Sequence, residues 1–184
     1  MRLTAAEYLA WEQAQPVRYE IFDGDVFARP AESPRHDALC GRMIIALNEA
    51  LRGRIYVGLI AARQLVLDKG MHYAYPDAGV VLGEAQLQAG PREVVANPSI
   101  LAEVLSQGTE RRDRGRKWLS YQRLPSLTDY VLVSQSEPRI EHFRRDGDRW
   151  SYRFFGPGER IELTGGAVLD VDAIFAGVLE LPGD

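Results

Sequence analysis

Three residues carry most of the chemical information in this chain. Glu103 lies inside Ser99-Ile-Leu-Ala-Glu-Val-Leu-Ser106, an otherwise apolar run of the kind that forms a strand covered on both faces. With a period of two it shares a face with Leu101 and Leu105. A buried carboxylate must be paired, protonated or bound to a cation. Asp77 follows Pro76 and immediately precedes Ala78-Gly-Val-Val-Leu82, a second apolar strand. Alone, Pro-Asp is more often a turn than a ligand, and Glu103 alone fits an edge strand or a salt bridge equally well. If the two strands pair, the carboxylates converge on one face. With a backbone carbonyl they form a hard, oxygen-rich pocket suited to Mg2+ or Mn2+. Lys117 lies on a charged segment just after the Glu103 strand. An ammonium there can orient a water and offset charge on a phosphate. Tyr121, four residues on, projects from the same helix face. The bland alternative for a charged run is a solvated helix face.

These side chains need elements to hold them. Thr4-Ala-Ala-Glu7 is a capping box that opens a helix through about Gln13. Val17 to Ala28 alternates around Asp23-Gly24 as a hairpin does. Ser33-Pro34 starts a second helix, with Cys40, Ile44, Leu47 and Leu51 at helical spacing and Gly53 as terminator. Strand-like segments follow at Arg54–Ile60, Arg63–Asp68, Ala78–Leu82 and Ser99–Leu105, rich in Val, Ile and Leu. The spacing then predicts a charged helix from about Glu110 to Leu124, with Trp118, Leu119 and Gln122 on one side. A strand is expected at Asp129–Val133, a hairpin at Arg139–Arg145 and Trp150–Phe155, and a short helical turn near Asp172–Phe175. This order implies an α/β or α+β fold with a mixed sheet flanked by two main helices.

Composition sets the outer limits. The chain has 184 residues, 46% hydrophobic and 26% charged, which suits a single globular domain spanning 1–184. No apolar run approaches the roughly 18 residues of a membrane span. Glu7 and Glu12 fall where a signal peptide needs its apolar core, so no export signal is expected. Cys40 is the only cysteine, which excludes an internal disulfide and a multi-thiolate zinc site. A cytoplasmic, reduced setting is the expectation. The net charge of −4 argues against a protein that merely coats nucleic acid. A local basic patch exists all the same: Arg111, Arg112, Arg114, Arg116, Lys117 and Arg123. Arg112 and Arg116, four apart, can share one helix face, and Arg114 must point elsewhere. No Walker loop, nucleophile elbow or His-Glu-x-x-His is present.

The chain resembles the Uma-type family of restriction endonucleases, within the PD-(D/E)XK nuclease superfamily. The matching stretches are Tyr19-Glu-Ile-Phe-Asp-Gly-Asp25, Ser33-Pro-Arg-His36, Pro76-Asp77, Pro98 to Ser106, Thr109 to Lys117 and Asp129-Tyr-Val-Leu-Val133. They span a core of about 17–176. The resemblance implies a restriction-endonuclease-like mixed sheet with a helix on either side. It implies that Asp77 and Glu103 are the metal-binding acids and that Glu20 completes the site. The superfamily motif expects lysine two residues after the second acid, where this chain has Leu105. Lys117 matches a lysine moved to the following helix. His36 also matches the family pattern, and as a histidine at a helix start it can contact phosphate.

The functional expectation is therefore a Mg2+- or Mn2+-dependent endonuclease with Asp77, Glu103 and Lys117 as catalytic residues. Arg112, Arg116, His36 and Tyr121 would contact nucleic acid, DNA rather than RNA. The alternative is a nucleic-acid-binding or regulatory module on the same fold without turnover. Aromatic residues of the C-terminal hairpin, Phe143, Trp150, Tyr152, Phe154 and Phe155, exceed what one sheet face normally leaves free and suggest a homodimer.

Overall fold

The computed structural model describes residues 1–29, 31–60, 63–88 and 93–184, apart from the Lys69 side chain. The first elements are helix α1 (Ala5–Glu12) and a hairpin of β1 (Tyr19–Phe22) and β2 (Asp25–Ala28). Helix α2 (Pro34–Ala50) follows. The strands β3 (Tyr56–Ile60), β4 (Leu65–Leu67), β5 (His72–Ala74), β6 (Ala78–Leu82), β7 (Leu87–Gln88), β8 (Val94–Val95) and β9 (Ile100–Val104) come next. A continuous helical segment is built from α3 (Glu110–Arg112), a π-helical turn (Asp113–Lys117) and α4 (Trp118–Tyr121). The chain closes with β10 (Asp129–Val133), β11 (Ile140–Asp146), β12 (Arg149–Phe155), β13 (Arg160–Leu163), β14 (Ala167–Asp170) and α5 (Val171–Phe175).

The central sheet has the order β12-β11-β10-β9-β6-β3 and is mixed. β9 and β10 run parallel, while β6 is antiparallel to β9. A parallel pair needs a crossover, and the helix at 110–121 supplies it. A second sheet of order β2-β1-β5-β4-β8-β7 covers part of one face. The sequence expectation of a mixed sheet flanked by helices thus holds. The strands β5, β7 and β8, of two or three residues each, are too short for apolar alternation to reveal them. Sequence reasoning missed the β13–β14 ribbon, although Arg160-Ile-Glu-Leu163 alternates strictly.

Alternation along the central strands divides the interior into two layers. Val80, Ile100, Ala102, Val104, Val131 and Val133 face α2, whose Leu39, Met43, Leu47 and Leu51 form its apolar stripe. Val81, Leu101, Leu105, Tyr130 and Leu132 face the other way, toward Tyr121, Leu124 and the second sheet. Gly79 lets the sheet close at this point: a Cβ there would stand 2.7 Å from the Ile100 carbonyl oxygen. At the β1–β2 turn Asp23 and Gly24 both adopt positive φ, as a two-residue primed turn requires. The Ser33 hydroxyl accepts from the His36 amide and caps α2, a contact typically contributing about 1 kcal/mol.

The expected face of the third helix is corrected. Leu119 is 57% exposed, and Trp118 alone of the three expected residues packs broadly, stacking on Tyr130 with centroids 5.4 Å apart. Asp113, Lys117 and Tyr121, spaced by four, form the buried row instead. Leu119, two residues beyond Lys117, lies on the opposite side and turns outward.

Candidate metal centre

The layer between the two sheets holds a cluster of charge. β6 and β9 pair in the register Ala78↔Ala102. One step further along that antiparallel register, Asp77 stands opposite Glu103. The Asp77 Oδ2 accepts from the Val104 amide at 2.8 Å, which ties the carboxylate to the β9 backbone. Glu103 lies mid-strand and is 1% exposed. Its Oε1 accepts from the Tyr121 hydroxyl at 2.8 Å, and its Oε2 stands 3.1 Å from Lys117 Nζ. Glu20, on β1, faces the same ammonium at 3.2 Å and accepts from the Tyr75 amide. Asp113, four residues before Lys117, is the third carboxylate around it at 3.1 Å.

Cations complete the cluster. Arg29, at the end of the hairpin, donates to Asp77 Oδ1 at 2.6 Å and to the Tyr75 carbonyl. Arg112 Nε lies 3.6 Å from Glu20 Oε2. His36 Nε2 lies 3.4 Å from Asp77 Oδ2, and its Nδ1 faces the Cys40 thiol.

Electrostatics separates the two acids. Burial alone would raise Asp77, but His36, Arg29 and Lys117 hold it well below the usual carboxylate range. Glu103 moves the other way. Complete burial raises it well above its ordinary value, Lys117 opposes this, and Asp77, Asp113 and Glu20 add to it. Lys117 stays charged: burial disfavours its ammonium, but Asp113, Glu103 and Glu20 outweigh burial. His36 is raised, its burial being outweighed by Asp77 and Glu32, so the imidazolium is favoured.

The oxygen set fits a hard divalent cation. Glu103 Oε2 and Asp113 Oδ1 are buried and lack an aligned hydrogen-bond donor, although each sits at ion-pair distance from Lys117. Carboxylates with unused lone pairs are the ligands that Mg2+ and Mn2+ favour. Asp77 also belongs to a nitrogen, sulfur and oxygen cluster with His36 and Cys40, whose ligand atoms lie within 4.8 Å of one another. Burial pushes the Cys40 thiol up, so it stays protonated and is the weaker ligand.

Asp77, Glu103, Lys117 and Glu20 are thus gathered in one place. Two further expected residues lie inside the same cluster. Tyr121 has no exposed surface and donates to Glu103. His36 is buried against Asp77. Arg112 and Arg116 do share a face, both over the Phe27 ring, while Arg114 turns to Glu110 and Glu141. Sequence reasoning missed Arg29 and the role of Asp113. For Asp113 a signal existed, its spacing of four from Lys117; for Arg29 there was none, because the contact joins residues 48 apart.

The model of the Uma2 family, described as "Putative restriction endonuclease", matches residues 5–178. Two Synechocystis proteins of uncharacterised function are similar. One, sll1609, is 31% identical over 80% of this chain and 83% of its own length. The other, slr1290, is 30% identical over 96% and 93%. Among solved structures, a "putative nuclease belonging to DUF820" from Anabaena variabilis superposes with a TM-score of 0.76 at 17% identity. The match covers 96% of this chain and 99% of that one. At that identity the likeness speaks for the fold.

Proposed function

The chain belongs to the Uma2 family of restriction-endonuclease-type proteins, and from that membership we propose that it is a divalent-metal-dependent nuclease acting on DNA. The observation that carries the reading is Lys117. Its ammonium reaches Glu103 although Leu105 fills the position where the superfamily motif has lysine. Glu103, Asp77 and Glu20 would hold Mg2+ or Mn2+. When bound, the ion supplies Lewis-acid polarisation of the phosphodiester and lowers the pKa of the attacking water.

The chain's own groups do the rest. Asp77 is held ionised by Arg29 and His36 and is ready to ligate. Tyr121 fixes one oxygen of Glu103, and the other faces the Lys117 ammonium. Lys117 supplies a fixed positive charge for the pentavalent phosphate, held by Asp113 from its own helix. Arg112 and Arg116 face the approaching backbone. Among the described residues no helix is long and apolar enough to cross a membrane. A cytoplasmic setting suits the single free, half-buried thiol.

One observation favours a second reading. Glu20, Asp77, Glu103, Asp113 and Lys117 are all buried, so a phosphate reaches them only if the side carrying Arg29 and Arg112 opens. A closed charge cluster is what an inactive binding module on this fold would retain. Nicking of supercoiled plasmid with Mg2+ or Mn2+ decides. The nuclease cuts, Asp77→Asn and Glu103→Gln abolish cutting, and Lys117→Met lowers the rate about a hundredfold or more. A metal-supplemented wild type that leaves the plasmid intact selects the inactive module.

A further inference from the structure

A groove of about 780 Å3 runs outside the charge cluster, between β2 and the helix at 110–121. Val26, Phe27 and Ala28 form one wall, and Arg111, Arg112, Gly115, Arg116 and Leu119 the other. The Arg112 and Arg116 guanidinium groups each lie 5.2 Å from the Phe27 ring centroid. Arg111 is exposed and forms no ion pair among the described residues. Among the described residues the ion pair of Arg116 is with Asp25, at 3.4 Å on the surface, a pair weak enough to yield to a phosphate. Arg112 connects the groove to the interior through Glu20, which itself contacts Lys117.

The lining is unlike that of a surface made for duplex backbone. Phosphates explain the three arginines, yet they gain nothing from Phe27 or from Leu119. In a duplex the base faces are stacked away from such a wall. In a single strand they are free, and a groove joining cations to flat and apolar groups serves both halves of an unpaired nucleotide.

We propose that this groove binds single-stranded DNA, its phosphates on Arg111, Arg112 and Arg116 and its bases against Phe27 and Leu119. Resting on the nuclease reading, this makes the substrate an unpaired strand or the unpaired arm of a junction. Gly115 provides a clean probe. It lines the groove, and a Cβ built there meets no atom within 4 Å. Gly115→Leu therefore fills the space without altering charge, and it replaces glycine inside a helix, which favours folding.

The test is fluorescence anisotropy in EDTA, with one labelled oligodeoxynucleotide used as a single strand and as a blunt duplex. The wild type should bind the single strand at least tenfold more tightly. Gly115→Leu should weaken that binding tenfold or more. Phe27→Leu should weaken it about tenfold with the salt slope unchanged. Arg111→Glu with Arg116→Glu should instead flatten the salt slope by about two. Duplex binding as tight as single-strand binding, or indifference to Gly115→Leu, overturns the proposal. Cutting is scored separately with Mg2+. A protein that binds the strand through these residues but cuts nothing supports the groove and sinks the nuclease reading. One that cuts duplex and ignores Gly115→Leu does the reverse.

Discussion

The Lys117 ammonium stands 3.1 Å from Asp113 Oδ1, on the preceding turn of its own helix. Four residues apart on one helical segment, the two side chains lie on one face. Asp113 is thereby the one acid of the cluster that moves with Lys117 as a unit. Glu20 and Glu103 approach the same nitrogen from separate strands.

Asp113→Asn should leave the ammonium without its local anchor. The expected result is a fall in kcat of about tenfold with KM nearly unchanged, because the charge is misplaced and substrate binding is not. Asp113→Glu should restore part of the rate. Steady-state cleavage of a labelled oligonucleotide measures both. A change confined to KM would show that Asp113 acts on the substrate path.

The two metal-site acids should have opposite pH signatures in EDTA. Asp77 is lowered from its ordinary 3.8, so the stability it provides is present above that value and is lost as pH falls below it. Glu103 is raised above its ordinary 4.5, so the native state holds a proton that the unfolded state releases. Its contribution therefore declines as pH rises above 4.5 toward the native value. Urea unfolding from about pH 2 to about pH 8 reads both slopes. Glu103→Gln should remove the decline and leave the protein as stable as wild type or more so at the alkaline end. Asp77→Asn should cost about 3 kcal/mol, since it removes the carboxylate from a buried ion pair. An unaltered decline in Glu103→Gln would assign it to another group.

A homodimer through β12 is the third expectation. Of the aromatic residues in the C-terminal hairpin, Phe143 and Trp150 pack on Trp118, and Phe155 lies in the interior. Tyr152 and Phe154 remain half exposed on the edge strand of the central sheet. Phe154→Glu should convert a dimer to a monomer in sedimentation at micromolar concentration while leaving the melting curve of the monomer unchanged. A wild type that sediments at 20.6 kDa removes the dimer.

Local sequence determined the parts of this protein whose physics is local. The Thr4 and Ser33 caps, the Asp23-Gly24 turn and the alternation of β9 and β10 each follow from a few adjacent residues, and they stand where those residues put them. Glu103 announced itself because a carboxylate in an apolar strand is costly wherever that strand lies. Lys117 and Asp77 could be named as candidates, but their meeting could not be read from spacing. It depends on β6 pairing with β9 in one register and on how the helix at 110–121 packs back over that sheet. The partners of Tyr121 and His36 could not be read for the same reason. Whether a polar side chain faces solvent or an acid is decided by what packs over it, here Glu103 on β9 and Asp77 just before β6. Arg29 shows the limit most plainly: Asp25 and Glu32 lie close to it in sequence, yet Asp77, with which it pairs at 2.6 Å, is 48 residues away. Only the tertiary fold brings the hairpin end to Asp77 and makes that arginine the reason the acid stays charged.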